Sequence, residues 1–115
     1  MSDAPRLLQL VALPPYERAA KGPLSEGDER WIAATLAQDP HAGDTVRGTG
    51  GMRKLRVAVR EGEGKSGGAR VVYFYRSAKG RVYLVTAYAK HRKESITDDE
   101  RNKLRKPAAT LEAEP

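Results

Sequence analysis

The spacing of apolar residues divides the chain into a helical first third, a β-rich middle and a helical end. Leu7 to Ala12 is a short apolar run and predicts a first strand. Pro14-Pro15 ends it and opens a short helix through Tyr16 to Ala20, since proline suits a first turn whose N–H groups lack partners anyway. Gly22-Pro23 interrupts that helix. Ser25 then offers an N-cap, and Glu26, Asp28 and Glu29 follow in the first turn, where the helix dipole favours anions. Ile32 and Leu36 stand four apart and form one apolar stripe, flanked by Trp31 and Thr35, on a helix ending at Asp39-Pro40.

The period then changes to two. Leu55, Val57 and Val59 alternate with Lys54, Arg56 and Arg60, which predicts a half-buried strand whose other face is cationic. Glu61 to Gly68 is a loop rich in glycine, and Arg70 to Arg76, dense in Val, Tyr and Phe, is a second strand. Ser77-Ala78-Lys79-Gly80 reads as a hairpin turn into a third strand, Arg81 to Tyr88, with Val82, Leu84, Thr86 and Tyr88 on one face. Thr97 with Glu100 matches a capping box, so a last helix starts there and runs to about Lys106, where Pro107 stops it. The expected organisation is a single α+β domain over residues 1–106, its three consecutive strands an antiparallel meander, followed by a small acidic disordered tail over 107–115.

Charge sharpens this picture. Residues 47–93 carry thirteen lysines and arginines against two glutamates, whereas the segments on either side are net acidic. The whole excess of the +6 chain therefore sits in the predicted sheet, an electrostatic footprint for a polyanion, nucleic acid first. The chain has no cysteine, so disulfides and thiolate metal sites are excluded, as suits a reducing cytosol. No apolar run approaches the ~20 residues of a membrane span, and the charge order of a signal peptide is missing.

Enzyme motifs are mostly excluded by spacing. Gly64-Lys65-Ser66 invites a P-loop reading, but Val59 stands where the first glycine belongs, and a strand rather than a helix follows. The two histidines, His41 and His91, form no ligand cluster, so no catalytic metal and no cofactor is expected. Serine-triad and paired-carboxylate chemistry find no matching residues in the basic half. His91 lies in Lys90-His91-Arg92-Lys93, where neighbouring cations favour a neutral imidazole. Tyr88 ends its strand beside that loop, where it can stack on a base or ribose.

Three segments then carry a resemblance. Gly48-Thr49-Gly50-Gly51-Met52-Arg53-Lys54-Leu55-Arg56, Gly62 to Tyr73 with its Gly64-Lys65-Ser66-Gly67-Gly68 turn, and Tyr88-Ala89-Lys90 are similar to the RelE/HigB toxins of bacterial type II toxin–antitoxin systems, nearest the HigB-like branch, over roughly residues 7 to 105. The resemblance implies a RelE-like microbial RNase fold, a small twisted antiparallel sheet with N-terminal helices and a C-terminal helix. It implies a cytoplasmic bacterial toxin that enters the ribosomal A site and cuts mRNA without a metal. Its partners would be the 70S ribosome, mRNA and a cognate HigA-like antitoxin with a helix-turn-helix domain, operator DNA being reached only through that antitoxin and the membrane not at all.

Site residues carry over position by position. Lys54 and Arg56 match the paired cations after the Gly-Thr-Gly-Gly turn, Arg70 the arginine after the second glycine turn, and Lys90 the lysine after the last long strand. His91 falls where RelE proper has an arginine, and the tyrosine RelE proper uses near its C-terminus has no match in Ser95-Ile96-Thr97. Lys54, Arg56, Arg70, Lys90 and His91 are thus the expected catalytic set, with Arg53, Lys65, Tyr88 and Arg92 as RNA contacts. A ParE-like gyrase inhibitor on the same fold and a non-catalytic nucleic-acid-binding module are the alternatives.

Overall fold

A computed structural model describes residues 8–58, 68–90, 92–93 and 95–115. Leu7, Val59, Arg60 and the glycine-rich loop of 61–67 lie outside the described residues. The first strand, β1 (Gln9–Ala12), leads into α1 (Pro14–Ala20), which has proline in its first turn and buries Tyr16 and Ala20. The second helix, α2 (Glu26–Gln38), opens with a full capping box: Ser25 Oγ accepts from the Asp28 N–H at 3.0 Å, and the Ser25 N–H donates to Asp28 Oδ2 at 2.9 Å. Its Ile32 and Leu36 are buried, as their spacing requires.

Four further strands follow: β2 (Asp44–Thr45), β3 (Met52–Val57), β4 (Ala69–Arg76) and β5 (Arg81–Ala89), with α3 (Asp98–Ala113) last. They form one sheet in the order β1-β5-β4-β3-β2. The meander β3-β4-β5 is antiparallel, as expected, and the two-residue β2 extends it. The β1 edge is different, since it pairs parallel to β5, from Gln9 opposite Arg81 to Ala12 opposite Leu84. Parallel pairing needs a long crossover, and the helices between β1 and the meander supply it.

Helices cover both faces of the sheet. Tyr16, Ala20, Ile32 and Leu36 of α1 and α2 pack with Leu55, Val57, Val71, Tyr73, Val82 and Leu84 on one face. Ala108 and Leu111 of α3 pack with Met52, Val72, Phe74, Tyr83 and Val85 on the other. The central strand β4 is consequently apolar on both sides, and Arg70 is the charged residue inside that buried stretch.

Two expectations about local structure change. Pro107 does not stop α3, which runs through it to Ala113, so residues 108–113 are helix rather than tail. A proline inside a helix costs about 3 kcal/mol. Burial of Leu111, worth about 1.5–3 kcal/mol, offsets that cost. The Tyr83 hydroxyl, which donates to Glu114 Oε1 at 2.7 Å, ties down the end of the helix. The second change is on β5, where the register slips between Val72 and Tyr73. Val72 faces Thr86 and Tyr73 faces Leu84, leaving Val85 as an extra residue. This bulge reverses the alternation. Val82 and Leu84 point to the α1/α2 face while Tyr88 lies with the α3 face, so the four residues expected on one face are divided.

Candidate active site

The glycine-rich turn before β3 is built around a threonine. Thr49 is fully buried; its hydroxyl donates to the Val46 carbonyl at 2.7 Å and accepts from the Met52 N–H at 3.1 Å. Gly48, with φ +82°, occupies a backbone region that favours glycine. The turn thereby fixes where β3 begins, and so the phase in which Met52, Lys54 and Arg56 share the α3 face. Met52 is buried beneath α3, and Lys54 and Arg56 emerge further along the strand.

Register then assembles a row of polar residues across three strands. Arg56 on β3 stands opposite Arg70 on β4, which stands opposite Tyr88 on β5. Lys54 stands opposite Val72 on one side and Asp44 of β2 on the other. An open groove of about 450 Å³ lies here, lined by Ala42, Asp44, Lys54, Leu55, Arg56, Arg70 and Lys90. Lys90 reaches it because its N–H donates to the Gly68 carbonyl at 2.8 Å, which extends the β4–β5 pairing past Ala89. Among the described residues, four cations thus meet one carboxylate around this concavity.

Arg70 is the most buried of the four, only 7% exposed, and its Nη1 donates to the Ala69 carbonyl at 3.1 Å. Burial and then the adjacent Arg56 push its pKa below the ordinary arginine value, and Tyr88 partly opposes this. The guanidinium remains charged, since arginine starts so far above neutrality. It is held in a desolvated position beside a like charge. Tyr88 is half-buried, and burial raises its phenol above the ordinary value against the opposing pull of Arg70. At neutral pH it is a proton donor, not a phenolate. Its hydroxyl is shut off from water with no hydrogen-bond partner among the described residues. Lys93 Nζ lies 5.5 Å from its ring centroid and pairs with Glu100 of α3.

Lys54, Arg56, Arg70 and Lys90 therefore converge on the groove, with Tyr88 beside Arg70. Arg53 does not join them. It sits on the opposite face of β3, across from Tyr73, where its Nη1 donates to the Gly43 carbonyl at 2.7 Å. That loop is packed tightly: a Cβ on Gly43 would come within 2.7 Å of the Lys54 carbonyl oxygen, and the Gly43 N–H donates to the Tyr73 hydroxyl at 2.8 Å. Arg92 is exposed in the turn after β5. Lys65 and His91 lie outside the described residues. Sequence reasoning missed Asp44 and Ala42, because a two-residue strand leaves no alternation to read. Among the described residues, no three of His, Asp and Glu come together to form a metal site, and no helix is long and apolar enough to cross a membrane.

The fold is a small α+β domain with helices on both faces of its sheet and a cationic groove at the end of the central strands. Residues 25–114 match the RelE toxin of the RelE/RelB toxin–antitoxin system, and the chain belongs to that family. Its fold is similar to that of a free Escherichia coli toxin RelE mutant in which two arginines are replaced by alanine. The TM-score is 0.51, with 20% identity over 77% of this chain and 90% of that one.

Proposed function

We propose that this chain is the toxin of a type II toxin–antitoxin pair, of the HigB-like branch, and cuts mRNA on the ribosome without a metal. The observation that carries this reading is the convergence of Lys54, Arg56, Arg70 and Lys90 on one groove, with the buried Arg70 at its back. Cleavage uses the RNA's own 2′-OH. The 2′-oxygen attacks the adjacent phosphorus, its proton passes to a base, and the bond to the departing 5′-oxygen breaks as that oxygen receives a proton. The products are a 2′,3′-cyclic phosphate and a 5′-hydroxyl.

Each residue has a task in that sequence. Arg70 and Arg56 hold the non-bridging oxygens and stabilise the charge of the pentacoordinate phosphorane, for which a planar guanidinium fork is suited. Lys54 and Lys90 flank the scissile phosphate and fix its neighbours for in-line attack. Tyr88, opposite Arg70 on β5 and protonated at neutral pH, backs the groove, and its enclosed hydroxyl keeps it out of the proton transfers. His91, next to Lys90 in sequence, is the residue whose ordinary pKa suits proton exchange near neutrality. The ribosome supplies what a lone domain with so open a groove lacks, namely mRNA held in a fixed path. A cognate antitoxin laying carboxylates over the groove neutralises the activity, with charge steering making that association fast and salt-sensitive.

The test is to incubate the purified chain with translating ribosomes and a defined mRNA, and separately with DNA gyrase and plasmid. Cleavage within the coding sequence, dependent on ribosomes, is the expected result. Gyrase poisoning without cleavage would assign the chain to the ParE-like alternative, and retention of RNA without cleavage to a binding module.

A further inference from the structure

A second cluster of cations lies outside the groove. The turn before β3 and the outer side of α3 enclose an open cleft of about 530 Å³ lined by Arg47, Gly48, Asp98, Arg101, Asn102 and Arg105. Arg105 Nε donates to the Gly48 carbonyl at 2.9 Å, which locks α3 to the turn. Arg101 Nη1 pairs with Asp98 Oδ1 at 2.7 Å, while its Nε is shut off from water without a hydrogen-bond partner among the described residues. Among the described residues, three arginines thus face one aspartate. Nothing in the proposed cleavage chemistry uses them.

The cleft and the groove are joined by β3. The turn carrying Arg47 and Gly48 leads into that strand, and Lys54 and Arg56 stand further along it on the face that α3 covers. We infer that Arg47, Arg101 and Arg105 form a second site for the phosphodiester backbone of RNA, engaged together with the catalytic groove; this rests on the reading of the chain as an RNA-cutting toxin. Arg101 and Arg105 are one helical turn apart, about 6 Å along the axis, a separation comparable to that of neighbouring phosphates on an extended strand. A charged fork suits a phosphate, and a track of such forks suits a backbone whatever its sequence. A protein partner fits less well. Interfaces anchor on aromatic and apolar side chains in desolvated pockets, and among the described residues no large apolar side chain lines this cleft.

The backbone is that of the mRNA or of ribosomal RNA, and two probes separate them: a 2′-O-methyl single-stranded oligonucleotide, which resists cleavage, and vacant 70S ribosomes. Binding of each is measured against salt for wild type, for Arg47→Gln with Arg101→Gln, and for Lys54→Gln with Arg56→Gln. Each phosphate no longer neutralised lowers the log–log salt slope on a single strand by about 0.7, so the Arg47/Arg101 pair should lower it by up to about 1.4. A fall on the oligonucleotide assigns the site to mRNA, and a fall on ribosomes alone assigns it to ribosomal RNA. Unchanged slope and affinity with both probes overturns the inference. Should the double variant fail to fold, Arg47→Glu at an exposed turn position gives the same readout. If the Lys54/Arg56 variant still cleaves mRNA, the reading of the groove fails while the second site stands. If only the Arg47/Arg101 variant is without effect, the reverse holds.

Discussion

Replacing Arg70 by methionine separates catalysis from folding. The guanidinium is 7% exposed and stands directly across the β3–β4 pair from Arg56. Like charges opposite each other in a sheet cost about 0.2–1 kcal/mol, and taking the cation out of water adds to that. Against this, Arg70 donates to the Ala69 carbonyl, a hydrogen bond worth about 0.5–1.5 kcal/mol, and its long side chain packs. Methionine keeps most of the packing volume and removes the charge. Arg70 has a further interaction besides that hydrogen bond, so Arg70→Met should stay folded and lose no more than about 2 kcal/mol. Activity should respond very differently. Removing one donor to a transition-state oxyanion costs about 10²–10³ in rate. The assay is thermal unfolding of the purified variant beside its mRNA cleavage rate on ribosomes. Destabilisation by more than about 2 kcal/mol, or cleavage within a few-fold of wild type, would show that Arg70 is there to hold the sheet.

Three further outcomes follow from the same geometry. Lys54→Gln with Arg56→Gln should weaken RNA binding and flatten its salt dependence by roughly 0.7 of log–log slope for each phosphate no longer neutralised, and an unchanged slope would mean that neither residue touches phosphate. Tyr88→Phe removes a hydroxyl that is buried without a hydrogen-bond partner among the described residues, so the folded state should be as stable or slightly more so and cleavage should stay within a few-fold of wild type; a large loss of cleavage at equal stability would bring the hydroxyl into the chemistry. Burial, with the Glu29 carboxylate beside it, raises the Tyr16 phenol well above its ordinary value. Its contribution to stability is present below the unfolded-state pKa of about 10 and declines as pH rises beyond it. Wild type should therefore become unstable more steeply above pH ~10 than Tyr16→Phe, and parallel curves in denaturant titrations would contradict that burial.

The parts of the fold that local rules govern are legible in the chain. Ser25 with Asp28 and Thr97 with Glu100 cap helices where the sequence places them, and the alternation through Leu55 and Val57 gives a strand with one cationic face. The parts set by distant partners are not legible. Pro107 is a local stop signal that burial of Leu111 and the anchoring of Glu114 override, and nothing near Pro107 announces either. The parallel pairing of β1 depends on a crossover, not on the residues of β1 itself. At the site, the i, i+2 spacing of Lys54 and Arg56 puts both on one strand face, whereas Arg70 meets them only through the β3–β4 register. The position of Tyr88 at a strand end suggests base stacking, but its neighbours set a different condition: Lys93 lies over its ring and its hydroxyl is enclosed. Adjacency in sequence groups Arg53 with Lys54, and strand geometry puts adjacent residues on opposite faces.

The most direct test concerns the nucleophile. A defined mRNA is prepared with a single 2′-deoxynucleotide immediately 5′ of the cleaved phosphate, and is translated in a purified system with wild type or Arg70→Met. Wild type should cut the all-ribose message once per site, leaving a 2′,3′-cyclic phosphate and a 5′-hydroxyl, only when ribosomes are present, and should leave the deoxy-substituted position intact. Arg70→Met should bind ribosomes and cut neither. Cleavage at the deoxy position, 3′-hydroxyl products, or equal cutting of free mRNA would contradict a groove that works by positioning the RNA's own hydroxyl on the ribosome.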